Sequence, residues 1–109
     1  RDLRLKTAID YMHTHFAEQI TVHDLAKLSH MSEGHFSRTF KVYMKISPVN
    51  YLIQLRIDKS INLLQKSDLS IGEIALNCGF NDFSYFCKIF RKKMNCSPHD
   101  VRDKAKKFL

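Results

Sequence analysis

ITVHDLAKLSHM (residues 20–31) and LSIGEIALNCGF (residues 69–80) are two versions of one pattern, 49 positions apart. Thr21 aligns with Ser70, Val22 with Ile71, Asp24 with Glu73, Leu25 with Ile74 and Ala26 with Ala75. The second version gains one residue near Asn81, after which the offset is 50. Phe36 then aligns with Phe86, Phe40 with Phe90, Lys41 with Arg91, Met44 with Met94, and Ser47-Pro48 with Ser97-Pro98. A repeat at fixed register marks two copies of one supersecondary unit.

The start of each copy says what the unit is. Ser70-x-x-Glu73 is a capping box and Thr21-x-x-Asp24 resembles one; each opens a short helix of about eight residues. Val22, Leu25, Ala26 and Ser29 share a face of the first, and Ile71, Ile74, Ala75 and Cys78 share a face of the second. Sharp turns follow at residues 29–31 and 78–80. Gly79 tolerates positive φ there, and His30 has to adopt it. A longer helix then begins near Ser32 or Asp82. Its apolar face is Phe36, Phe40 and Met44 in the first copy, and Phe83, Phe86, Ile89, Phe90 and Met94 in the second. A short helix, a turn and a longer basic helix make a helix-turn-helix. Ala26 and Ala75 sit where the two helices cross, and a larger side chain there would force them apart.

The flanking segments read as further helices. Residues 3–16 put Leu5, Ala8, Ile9, Met12 and Phe16 on one face. Ser47-Pro48 launches a connecting helix to about Gln65, with Leu52, Leu55, Ile61 and Leu64 as buried candidates. Ser97-Pro98 launches a short last helix with Asp100 in its first turn, and residues 104–107 read as a basic tail that frays. The expected fold is all-α: one domain over 1–109, divided into a support helix plus first unit at 3–46, a connector at 48–65, and a second unit plus last helix at 69–103.

Charge separates along the chain. The net charge is +7, but residues 1–33 hold four basic and five acidic side chains, whereas residues 34–109 hold fourteen and six. That distribution favours a polyanionic partner for the later segments. Cys78, Cys87 and Cys96 form no C-x-x-C pair, which argues against a zinc site and a disulfide framework and fits free thiols in a reducing cytoplasm. The six histidines are scattered and read as surface or boundary residues. No nucleophile–base pair, paired-acid constellation or Gly-rich phosphate loop is present, so no enzyme chemistry, metal or cofactor is expected. No apolar run approaches the length of a membrane span.

The run Ile71-x2-Ile74-Ala75-x3-Gly79-Phe80-x2-Phe83-Ser84-Tyr85-Phe86-x3-Phe90-Arg91-Lys92-x4-Ser97-Pro98 resembles the signature of AraC/XylS-type transcriptional regulators. Leu25-Ala26 and Ser32-x3-Phe36-Ser37-Arg38-x-Phe40-Lys41 are similar to that family's first unit, and Arg56 falls where the family usually has Arg. The resemblance covers roughly residues 5–103. It implies a seven-helix domain with two helix-turn-helix units, an upstream regulatory domain, promoter or operator double-stranded DNA as partner, and RNA polymerase as a candidate partner of the full-length protein. Lys45, Asn95 and His30 stand where the family often has Gly, and Val101 where an aromatic is usual.

The family's reading positions, carried over, are Gly34, Ser37 and Arg38 in the first unit and Phe83, Ser84, Tyr85 and Lys88 in the second. Arg38 suits a bidentate pair to guanine and Lys88 a point contact. Tyr85 offers its hydroxyl, Phe83 reads slightly more as core than as a thymine-methyl contact, and Gly34 offers no side chain. Lys41, Lys45, Arg91, Lys92 and Lys93 would neutralise phosphates, with help from backbone N–H groups at the helix starts at Thr21 and Ser70. A connector of roughly 27 Å, at about 1.5 Å per residue, would let a monomer place both recognition helices in successive major grooves of an asymmetric site. The competing readings are a basic helical RNA-binding module and a protein-interaction bundle. The first would show more exposed aromatics for stacking on bases. The second would not need Arg or Lys at matched places in both copies.

Overall fold

The computed structural model describes residues 3–106, and these form seven α-helices with no strand: α1 Leu3–His15, α2 Val22–Leu28, α3 Glu33–Met44, α4 Pro48–Lys66, α5 Ile71–Asn77, α6 Phe83–Met94 and α7 Pro98–Lys106. They fall into two compact units that divide between Leu55 and Arg56, inside α4. The connector expected to stand between the units is therefore shared: its first turns belong to one core and its last turns to the other. Lys107, the end of the expected basic tail, lies outside the described residues.

The first unit closes around Leu5, Ala8 and Met12 of α1, Leu25 and Ala26 of α2, Phe36 and Phe40 of α3, and Leu52 and Leu55 of α4. Ile9 and Phe16 pack against this core partly buried. Ser29, fully buried at the end of α2, donates its hydroxyl to the carbonyl of Arg4 at 3.3 Å, so the polar group is satisfied. His13 and Tyr51 hydrogen-bond at 2.8 Å, tying α1 to α4.

The second unit buries Ile57 and Leu64 of α4, Ile71, Ile74 and Ala75 of α5, Cys78 and Phe80 of the turn, and Phe86 and Phe90 of α6. Two expectations for α4 need correction. Ile61 is only partly buried, and Ile57, outside the expected set, is fully enclosed. The inward face rotates along α4 because successive turns serve two different cores. One pattern of spacing fitted to the whole helix misplaces that change.

Arg102 of α7 donates from Nε to the Leu64 carbonyl (3.3 Å), from Nη1 to that of Leu69 (2.6 Å) and from Nη2 to that of Ser67 (3.1 Å). These carbonyls belong to the end of α4 and the link into α5, which have no further helical partner. The guanidinium fork thus fixes the path by which α5 leaves α4. Arg102→Ala is expected to cost about 1.5–3 kcal/mol in chemical unfolding. Arg102→Lys should recover only part of it, because one ammonium cannot span three divergent acceptors. Full stability in Arg102→Lys would contradict this role.

Candidate nucleic-acid interface

In each unit the short helix opens with the same local chemistry. The Thr21 hydroxyl accepts from the Asp24 amide at 3.1 Å while the Thr21 amide donates to the Asp24 carboxylate at 3.1 Å. Ser70 and Glu73 repeat this at 3.1 and 3.0 Å, and Ser97 and Asp100 at 3.1 and 3.0 Å. Amide and hydroxyl donors to the charged form hold the carboxyls of Asp24, Glu73 and Asp100 below their usual range. Of the helix-start N–H groups expected to help neutralise phosphate, those of Thr21 and Ser70 themselves are each given to their own capping acid.

Both turns are Schellman motifs. His30 and Gly79 take positive φ (56° and 94°) and donate to the carbonyls of Lys27 and Leu76 at 3.1 and 3.0 Å. Met31 and Phe80 donate to Ala26 and Ala75 at 3.0 and 2.9 Å. The two alanines therefore anchor the turn as well as permitting the crossing, and both are buried. The one-residue insertion falls between this turn and the next N-cap: Ser32 caps α3 by accepting from His35 at 3.2 Å, and Asp82 caps α6 by accepting from Tyr85 at 3.0 Å.

The longer helices end alike. Lys45 and Asn95 take left-handed conformations (φ 65° and 59°), their amides bonded to Lys41 and Arg91 at 2.9 and 2.8 Å. A left-handed lysine is strained by its Cβ, on the order of 1 kcal/mol. Lys45→Gly is expected to raise unfolding stability by about 0.5–1 kcal/mol. It should also weaken binding to every duplex sequence if the ammonium meets phosphate. Thermal melting paired with a binding isotherm separates the two effects, and stability that does not rise would refute the strain.

Phe36 and Phe40 face inward on α3, as do Phe86 and Phe90 on α6, all four fully buried. The opposite faces carry the reading and phosphate candidates. On α3, Gly34, Arg38, Lys41 and Lys45 are exposed at i, i+4, i+7 and i+11, with Ser37 half-buried beside them. On α6, Ser84, Lys88, Arg91 and Asn95 fill the equivalent stripe, with Tyr85 and Lys92 exposed on its flank. Lys93 departs from this face: it is half-buried and lies toward the core side of α6.

Phe83 is the clearest correction to the expected core. It is 50% exposed, with its ring 6.5 Å from that of Phe86. As the first residue of α6, it stands beyond the layer that covers Phe86 and Phe90, so helical spacing assigns it a face that has no cover at that level. Tyr85 is also exposed, at 44%, with its ring 6.3 Å from that of Phe80. Behind it, Arg56 is partly buried, its pKa lowered by that burial and held up by Cys78 and Tyr85. Cys78 is fully enclosed, and burial pushes its thiol up to about 11 against the pull of Arg56 and Lys59, so it stays protonated and unreactive at neutral pH. All three cysteines are free thiols. Among the described residues no cluster of His, Cys, Asp and Glu can hold a metal ion, and no helix is long and apolar enough to cross a membrane.

Residues 25–104 match a family model described as a helix-turn-helix domain. The HTH-type transcriptional activator RhaS of Salmonella arizonae is 36% identical over 101 residues, covering 93% of this chain and 36% of that protein. An uncharacterized HTH-type transcriptional regulator of Bacillus subtilis, YdeC, is 36% identical over 95 residues, covering 87% and 33%. The chain thus spans about a third of the length of the curated relatives it matches. The DNA-binding domain of AdpA, a global transcriptional factor crystallised in complex with a target DNA, superposes with a TM-score of 0.89 at 31% identity, covering 93% of this chain and 91% of that one. A transcriptional regulator of Chromobacterium violaceum with an AraC-type DNA-binding domain superposes with a TM-score of 0.88 at 29% identity, covering 94% and 92%.

Proposed function

This chain belongs to the helix-turn-helix family of AraC-type transcriptional regulators, which bind DNA and are not enzymes, and from that membership we propose which of its residues read the duplex. Each unit offers its longer helix to a major groove, two successive grooves being used on one duplex. The observation that carries this reading is the matched pair of exposed stripes, Gly34–Arg38–Lys41–Lys45 on α3 and Ser84–Lys88–Arg91 on α6, each opposite a phenylalanine core. Arg38 and Lys88 contact base edges, with Ser37, Ser84 and Tyr85 as shorter or adaptable partners and Phe83 against a thymine methyl. Its exposure supports that role for Phe83. Lys41, Lys45, Arg91 and Lys92 neutralise phosphates, with Lys93 contributing from the flank. The stripes differ in residue type, so the two half-sites differ in sequence, and one chain suffices for one asymmetric site. For the whole protein, RNA polymerase as a candidate partner and a cytoplasmic location are part of this proposal.

Selection from random duplex DNA supplies the preferred site, and a mutant panel on permuted sites assigns contacts. Arg38→Ala and Lys88→Ala are each expected to cost about 1–3 kcal/mol and relax preference at one or two base pairs. Lys92→Ala should instead weaken all sequences alike. Unchanged preference in Arg38→Ala would overturn its assignment as a base reader.

A further inference from the structure

Gly34 is the second residue of α3. A glycine inside a helix loosens it relative to alanine. Its backbone does not require glycine, because the positive-φ positions are His30, Lys45, Gly79 and Asn95. What bears on the position is one neighbouring side chain. A Cβ at Gly34 would stand 3.1 Å from Arg38 Nη1 and 3.9 Å from Cζ and Nη2. The other helical glycine, Gly72, has nothing nearer than a Ser70 hydroxyl at 4.0 Å. Arg38, one turn further along, therefore folds its guanidinium back toward the start of α3, the direction in which helical side chains project. There it rests against bare backbone.

The geometry points to Gly34 as a specificity-determining position that acts through Arg38, leaving clear the space in which the guanidinium is held over the first turn of the recognition helix. This rests on the reading of Arg38 as a base contact. Bidentate pairing needs two N–H groups aligned at once with two acceptors, and hydrogen bonds weaken steeply as their angles degrade. An added Cβ shifts the guanidinium by a few tenths of an ångström, and a longer side chain displaces it from the first turn. In α6 the same two places hold Ser84 and Lys88. An ammonium has no planar fork to seat, so a Cβ beneath it is tolerated.

The test is a double-mutant cycle on the 109-residue chain, reading the affinity ratio between the selected site and the site changed at the base pair assigned to Arg38. A bidentate arginine supplies about five- to 150-fold in that ratio. In Gly34→Ala the ratio should fall several-fold while the melting temperature rises, since alanine is the better helix former. Gly34→Leu should bring the ratio down to that of Arg38→Ala. In the Arg38→Ala background, Gly34→Ala should change the ratio no further. A merely structural glycine would move stability and leave the ratio alone. If Arg38→Ala relaxes the ratio but Gly34→Ala keeps it, the role given to Gly34 is wrong; so too if Gly34→Ala lowers the ratio equally without Arg38. If Arg38→Ala itself leaves the ratio unchanged, the underlying base assignment fails instead.

Discussion

Phe86→Ala is expected to destabilise the protein by about 3–5 kcal/mol, a large share of the roughly 5–15 kcal/mol that holds a domain folded. Phe86 has no solvent exposure, and its ring centroid lies 5.0 Å from that of Phe80, 5.7 Å from Phe90 and 6.5 Å from Phe83. It thus joins the turn, the inner face of α6 and the exposed start of that helix. Truncation removes transfer free energy and leaves a cavity among side chains whose backbone is pinned by the capping box and the Schellman turn, so collapse into the space is limited. Phe86→Leu should cost less, because most of the volume is retained. Phe83→Ala should also cost less, because half of that ring is already in water. Urea unfolding of the three variants decides the matter. A loss under about 1 kcal/mol in Phe86→Ala would mean that the second unit is not close-packed.

Affinity for the selected site should fall by two to three orders of magnitude between about 50 and 200 mM salt. Lys41, Lys45, Arg91, Lys92 and Lys93 are the proposed phosphate contacts. At about −0.9 per contact, four or five of them give a log–log slope of roughly −3.6 to −4.5. Lys93, half-buried and toward the core side, is the one whose removal should change the slope least. Lys92→Ala should reduce the slope by about one. A slope near zero across a salt titration would exclude an interface dominated by phosphate.

Much of the site is legible in the amino-acid sequence because its decisive features are local. Capping boxes act over four residues and Schellman turns over six, so the register of residues 20–31 against 69–80 contains both, including the demand that His30 do what Gly79 does. The buried positions of α3 and α6 follow from helical spacing, which local sequence also records. Spacing fails where neighbours change. Phe83 has the periodicity of a core residue but stands past the end of the core. Ile57 and Ile61 exchange expected roles because α4 passes from one core to another. Nothing in the sequence around Arg102 announces three carbonyls contributed by residues 64–69.

The amino-acid sequence by itself determined the all-α class, the two copies of one unit, their caps and turns, the basic excess after residue 33, and the family. Each depends on short-range chemistry or on composition. Tertiary structure decided which apolar residues are covered, where α4 changes allegiance, that the Thr21 and Ser70 amides are spent on their own capping acids, and that the guanidinium of Arg38 lies 3.1 Å from the place a Cβ at Gly34 would take. Burial is a property of what packs on top of a residue, and the reach of a long side chain depends on what its neighbours leave open. Neither is encoded at the position where its consequence is felt.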